Sequence, residues 1–257
     1  MEPPHAGAPA RVTLRRVHLP PQRFEGERAA LTPEARHYLR DVLRLGPGAE
    51  VEVFDGRGGA WAARVDAAYE ALLLGERRAQ GGAAAEIWLV AALAKGEKMD
   101  LVVQKATELG AAGVAPFAAE RSVVRLEPDK GEERARRWRR IAEEAARQCG
   151  RADVPEVRAP APLAGVLAAL PPGALAIALQ PGGPPVLALE PVAARAYAAI
   201  VGPEGGLTDV ELAACDAAGA RRAALGPRVL RAETAAIVAV ALLQARFGDL
   251  GAPVPVP

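Results

Sequence analysis

AIVGPEGGLTDVELAACDAAGARRAALGPRVLRAETAAIVAVALLQARF, residues 199–247, decides the fold. The apolar run 196–201 and the shorter 223–225 each pass directly into a Gly/Pro turn, and each turn leads into a helical pattern. Two strand–loop–helix units in succession, with both loops leaving a strand at its C-terminal end, predict an open α/β sheet with its ligand edge at that end. In the first loop, GPEGG at 202–206, the glycines permit positive φ and let backbone N–H groups approach a ligand. Thr208 and Glu211 form the T-x-x-E capping box, and Leu207 with Leu212 has the spacing of a hydrophobic staple, so a helix begins at Thr208. Gly219 is placed to end it. The second loop, LGPRVLR at 225–231, leads into a helix from about Glu233 that is apolar nearly all round through Leu243, hence buried on more than one side.

Outward from this stretch, 257 residues allow one large domain or a large and a small one, and an apolar share of 51% supplies a full core. No apolar run reaches membrane-spanning length, and the Ala/Pro-rich start lacks a signal-peptide core. Two cysteines, Cys149 and Cys215, and three histidines make a zinc site improbable and fit a reducing cytoplasm. A net charge of +1 excludes polyanion binding by bulk charge, so any RNA contact must come from local patches. The lone serine, Ser122, is not in a nucleophile-elbow context, which removes serine hydrolase chemistry.

Residues 1–10 read as a disordered tail. Residues 11–78 read as short strands around one short helix, EARHYLRDVLRL, with Thr32 as N-cap, Pro33 in first position and Gly46 at its end. VEVFDGRGGAWAARV alternates on either side of a Gly-rich turn, a hairpin signal, and a small barrel follows. Arg11, Arg15, Arg16, Arg36, Arg40 and Arg44 supply cations there, among as many acids. Residues 79–85 read as a linker, 86–250 as the large domain and 251–257 as a frayed tail.

In the large domain, EIWLVAALA (86–94) is a buried strand. KGEKMDLVVQKATELG (95–110) is a helix with Met99, Val102, Val103, Ala106 and Leu109 inward and Gly110 at its end. GVAPF (113–117) is a second strand. A helix from about Asp129 to Cys149 buries Trp138, Ile141, Ala145 and Cys149, and its RARRWRR cluster can face phosphates or pair with interspersed acids. Gly150 releases that helix and puts Arg151 on a loop. ALAIALQP (174–181) is another strand ending in a turn, the first of three loops around a ligand; PGGPPVLALEP after it receives no role.

GPEGGLTDVE, LGPRVLRAETA and LQARFGDL, with KGEKMDLVVQKATELG, QCGR and HYLRDVLRL…FDGRGG, resemble the SPOUT class of RNA methyltransferases. The nearest likeness is to the ribosomal RNA small-subunit methyltransferase E family, which makes N3-methyluridine. The resemblance implies an α/β fold, a SPOUT-like parallel sheet with a C-terminal trefoil knot beside a small N-terminal PUA-like β-barrel. It implies S-adenosylmethionine as cofactor, held by Leu179, Gly202, Pro203, Glu204, Gly205, Gly206, Leu225, Gly226, Val229, Leu230, Arg231, Thr234 and Ala235. It implies ribosomal RNA or the small ribosomal subunit as partner, a homodimer, and no membrane. Arg15, Arg16, Arg40, Arg44, Lys98, Gln104, Arg121, Arg125, Arg151 and Arg228 are its RNA-binding candidates.

The chemistry expected is methyl transfer to uridine N3. The N3–H is a weak acid, so the site must stabilise negative charge developing on the base. Arg151 is the candidate for that, and Glu204 or Glu233 for the proton acceptor, with capping as the plain alternative for Glu233. No metal is needed, because a sulfonium is already an electrophile. A Rossmann-type nucleotide site would need G-x-G-x-x-G after the first strand, which GPEGGL does not supply. A non-catalytic RNA-binding protein of the same fold, or a SPOUT enzyme acting on another nucleotide, remains as an alternative.

Overall fold

The computed structural model describes residues 15–78, 85–122, 128–190 and 194–251. The expected 1–10 tail, Arg11, Arg125 and most of the 79–85 linker and 251–257 tail lie outside them. The chain divides into two compact units, one up to residue 80 and one from residue 81.

In the first unit the strands are β1 (Arg16–His18), β2 (Phe24–Glu25), β3 (Arg28–Ala30), β4 (Glu50–Phe54), β5 (Ala60–Val65) and β6 (Ala71–Arg78). They form one sheet in the order β1-β4-β5-β6-β3-β2, with β1 and β4 parallel and the other pairs antiparallel. The path is open at both ends, so the expected barrel is a PUA-like half-barrel. Helix α1 (Pro33–His37) starts as the sequence predicts, with Thr32 Oγ1 accepting from the Ala35 N–H at 3.1 Å. Its end differs. A π turn over Tyr38–Val42 follows, and Arg44, not Gly46, turns the chain with φ of +52°. Leu39 and Leu45, fully or nearly buried against Val51, Val53 and Leu72, fix that exit.

The second unit has β7 (Glu86–Ala92), α2 (Lys98–Glu108), β8 (Gly113–Ala118), α3 (Pro128–Cys149), β9 (Glu156–Val157), β10 (Ala161–Pro162), α4 (Leu163–Ala168), β11 (Leu175–Leu179), β12 (Ala196–Val201), α5 (Asp209–Ala217), β13 (Arg221–Ala223) and α6 (Ala232–Phe247). The sheet order is β10-β8-β7-β12-β11-β13, with β9 also on β8, and every pair is parallel. Alternate residues of one strand serve two cores. Ile87, Leu89 and Ala91 face the core that holds Met99, Val102, Trp138, Ala239 and Leu243. Trp88, Val90 and Ala92 face the core that holds Leu163, Val166 and Cys215. A parallel sheet covered on both faces requires such continuous apolar strands. No helix among the described residues is long and apolar enough to cross a membrane.

Two helices depart from the sequence reading. In α3 the buried positions include Ala135, Trp138, Ala142, Ala145 and Ala146. Ile141 is half-buried and Cys149 exposed, because the helix breaks at Gly150 (φ +92°) before Cys149 is covered. In α6 one face is buried, through Ala236, Ala239, Val240, Leu243 and Gln244, while Thr234, Ile237, Val238, Ala241 and Ala245 stay half or fully open.

The segment after β11, given no role above, crosses β13. Gln180 N–H donates to Ala223 O, Ala224 N–H to Pro184 O and Val186 N–H to Ala224 O, at 2.8–2.9 Å. Gly183 lies so close that a Cβ would sit 2.8 Å from the Ala223 carbonyl carbon. The chain then re-enters the sheet between β7 and β11 as β12, while the end of β13 passes back to α6 under β12 and β7. This crossing fits the trefoil knot.

Candidate cofactor site

The capping box that opens α5 is fully formed: Thr208 Oγ1 accepts from Glu211 N–H at 3.2 Å, and Glu211 Oε2 accepts from Thr208 N–H at 2.8 Å. Such a cap contributes about 1 kcal/mol. Glu211 Oε1 also accepts from Glu120 N–H at 3.0 Å, which ties the start of α5 to the loop after β8. The loop 202–207 is therefore held at its far end by the helix that follows it.

That loop walls a cavity of about 440 Å³ at the C-terminal ends of β11, β12 and β13. Leu179, Gln180 and Pro181 supply one wall, residues 201–207 the second, and residues 224–226 and 228–230 with Ala232 and Ala235 of α6 the third. Gly202 is needed for the fit: a Cβ there would lie 3.0 Å from Leu207 N and 3.1 Å from Leu207 Cγ. Gly206 has φ of +72°, and its N–H donates to Pro203 O at 2.8 Å, closing a tight turn. Gly205 has no left-handed backbone; a Cβ there would rest 3.4 Å from the Arg121 side chain.

Eleven of the thirteen residues expected at the cofactor line the cavity: Leu179, Gly202, Pro203, Glu204, Gly205, Gly206, Leu225, Gly226, Val229, Leu230 and Ala235. Arg231 and Thr234 do not. Arg231 is the extended N-cap of α6, and Thr234 is exposed on that helix. Sequence reasoning missed Gln180, Pro181, Val201, Leu207, Ala224 and Ala232, of which the first two were legible as the turn after a strand.

Charge enters from two sides. Arg121 lines the cavity and its Nη1 donates to Gly205 O at 2.9 Å. Lys98 Nζ donates to Glu204 Oε1 at 3.0 Å and lies 3.2 Å from Glu233 Oε2. The Glu233 contact lacks hydrogen-bond alignment, leaving that buried oxygen with an ion pair and no hydrogen bond. The Glu204 carboxyl is held below its ordinary range, first by its own backbone N–H and then by Lys98, and the two carboxylates raise the Lys98 ammonium. Glu204 lines the cavity itself; Glu233 lines a small adjoining void with Met99 and Gly202.

The other expected RNA contacts scatter. Arg228 is exposed and lines the cavity. Gln104 is exposed on α2, and Arg15 and Arg44 are exposed in the first unit. Arg40 is exposed but paired with Asp41, with Nε 3.0 Å from Oδ1. Arg16 is a correction: its side chain is only 10% exposed, pairs with buried Glu52 at 2.5 Å and stacks over Phe54, so it braces the sheet. In the RARRWRR cluster, Arg137 pairs with Asp100 across to α2 and Arg139 with Glu132 within α3.

Arg151 lies apart from the cavity. Its Nη1 donates to Thr107 O at 2.7 Å and Ala111 O at 2.9 Å, and its guanidinium pairs with Asp153. Those carbonyls precede β8, at the N-terminal edge of the parallel sheet. The cavity lies at the other edge, beyond the five-residue step from Ala196 to Val201, about 17 Å along a strand. Within one chain Arg151 does not reach the cavity.

Residues 82–244 match the RNA methyltransferase domain family, and residues 31–68 the RNA methyltransferase PUA domain family. The ribosomal RNA small subunit methyltransferase E of Synechocystis is 35% identical over 90% of this chain and 77% of its own. A methyltransferase of Legionella pneumophila, solved with the cofactor SAM bound, is 33% identical, with a TM-score of 0.83 over 93% of this chain and 100% of that one. A ribosomal RNA small subunit methyltransferase E of Neisseria gonorrhoeae, bound to S-adenosyl methionine, is 28% identical, with a TM-score of 0.82 over 92% of this chain and 99% of that one. The two-unit architecture, the knotted parallel sheet and this likeness over nearly the whole length together place the chain in the ribosomal RNA small subunit methyltransferase E family.

Proposed function

We propose that the chain transfers a methyl group from S-adenosylmethionine to N3 of a uridine in small-subunit ribosomal RNA, acting in the cytoplasm as a homodimer. The observation that carries this is the cavity of about 440 Å³ walled by three strand-end loops. It has the size of a small-molecule site, and Gly202 lies where a Cβ would press on the loop. S-adenosylmethionine supplies a methyl group on a positively charged sulfur. What the chain must add is orientation and a place for the N3 proton.

Glu204 is the favoured proton acceptor, because it lines the cavity and Glu233 does not. While Lys98 holds Glu204 the carboxylate is a weaker base, so acceptance requires that pair to loosen. Within one chain Arg121 and Arg228, which line the cavity, are the cations able to face the charge that develops on the base. The test is transfer of labelled methyl from S-adenosylmethionine to small-subunit RNA or assembled subunits, followed by mapping of the modified base. Transfer to a nucleotide other than uridine, or none to either substrate, defeats the reading.

The open stripe of α6, with Ile237, Val238 and Ala241 at its centre, supports the homodimer. A contiguous apolar face of this kind favours burial against a second copy. Light scattering at micromolar concentration should give twice the chain mass, and Val238→Glu should shift it to monomer. A parent protein that is monomeric there refutes the dimer.

A further inference from the structure

Lys98 stands in the first turn of α2, with its ammonium between two carboxylates from two other elements. Glu204 belongs to the loop after β12, and Glu233 to the first turn of α6, between Ala232 and Ala235, which line the cavity. Two carboxylates share one ammonium, so the group carries one surplus negative charge. Glu233 stands in the first turn of α6, where the helix N-terminus favours a negative side chain. The remaining charged groups on the cavity lining are Arg121 and Arg228, and Arg231, at the N-cap of α6, also acts on Glu204 from outside the lining. Arg121 is turned onto the carbonyls of Gly205 and Leu207, and Arg228 stands on the opposite loop, after β13. The cavity is thus polarised, acidic toward α2 and basic toward the 225–230 loop.

We infer that the Lys98–Glu204–Glu233 cluster is the charge selector of the cofactor site, favouring the sulfonium cofactor over its neutral thioether product. The inference rests on the methyltransferase reading. S-adenosylmethionine and S-adenosylhomocysteine differ by one methyl group and one positive charge, and the rest of each molecule makes the same contacts. Shape therefore discriminates little between them, and product bound as tightly as substrate would hold the enzyme after each turnover. A negative rim attracts the cation and leaves the thioether unaffected. Lys98 then sets how negative that rim is, and it is a positioning residue for the selectivity.

The measurement is the ratio of the two dissociation constants by calorimetry, product over cofactor, with melting curves for each variant. Lys98→Met should raise the ratio by about threefold to tenfold, since it leaves both carboxylates uncompensated near a partly screened surface. Glu204→Gln should lower it by a similar factor. A cluster that only braces the loop would weaken both ligands equally and leave the ratio fixed, and that result overturns the inference. A salt series on the parent needs no variant to fold. From about 0.02 to 0.5 M salt, cofactor affinity should fall while product affinity holds; parallel curves overturn the inference as well. A parent that binds neither ligand defeats the methyltransferase reading itself, a separate and recognisable failure.

Discussion

Gly202→Val should weaken S-adenosylmethionine binding on the order of a hundredfold, about 2.7 kcal/mol, while the melting temperature stays within about 5 °C of the parent. The first atom of the new side chain would stand 3.0 Å from Leu207 N, 3.1 Å from Leu207 Cγ and 3.2 Å from the Gly206 carbonyl carbon. Two of those three are backbone, so the 202–207 loop must move rather than a side chain rotate. Leu207 is buried in the core beneath α5 and resists displacement. The accessible direction is toward the cavity, which is where the cofactor would sit. Gly205→Ala is the control: its Cβ would make ordinary contact with Arg121, and affinity should change by less than about threefold. Gly206→Val falls between, since φ of +72° costs a branched residue roughly 1–2 kcal/mol. Calorimetric titration decides among these, and parent-like affinity in Gly202→Val would remove the cavity from cofactor binding.

Arg151→Ala should have the largest effect on stability, with a loss of about 2–4 kcal/mol and a melting temperature lower by roughly 5–12 °C. The side chain is only 14% exposed and supplies donors to two backbone carbonyls, of Thr107 and Ala111, as well as to Asp153. Hydrogen bonds from a charged donor contribute about 1.5–3 kcal/mol each, and truncation removes that donor from both carbonyls, Thr107 O keeping the Gly110 N–H. Cofactor affinity should remain near the parent value, because the cavity is at the other edge of the sheet. Arg151→Lys should recover little, as one ammonium lacks the planar fork that spans several acceptors. A variant that melts like the parent but has lost methyl transfer would return Arg151 to the chemistry.

The position of Arg151 shows where reading the chain in one dimension stops. Thr208 and Glu211 announce their helix because a cap is local: both partners lie within one turn, and the bonds follow from spacing. The apolar runs of β7 and β12 are equally local, since burial on both faces dictates their composition. Arg151 follows a helix-ending glycine, and that too was legible. Which edge of the sheet the loop faces depends on how β8 pairs with β7, and no spacing encodes that. The same holds for Lys98, whose partners are more than a hundred positions away. Gly182 and Gly183 are visible as a turn, yet the contact that demands Gly183 is with Ala223, on a strand not yet made. Arg44 in place of Gly46 is a smaller case, in which burial of Leu39 and Leu45 outweighed the backbone preference.

The three walls of the cavity come from residues 179–181, from residues 201–207 and from the stretch between Ala224 and Ala235, so the last wall follows β13, the last described strand of the sheet. A nascent chain stopped before residue 224 would already hold β7, β8, β11 and β12 but could not bind its ligand. Occupancy of the cavity therefore reports that the whole unit has been assembled, crossing included, and nothing earlier. Ligand that binds only this finished state pulls the equilibrium toward it by mass action. Cofactor should therefore stabilise the complete, threaded unit over any form that lacks the last wall.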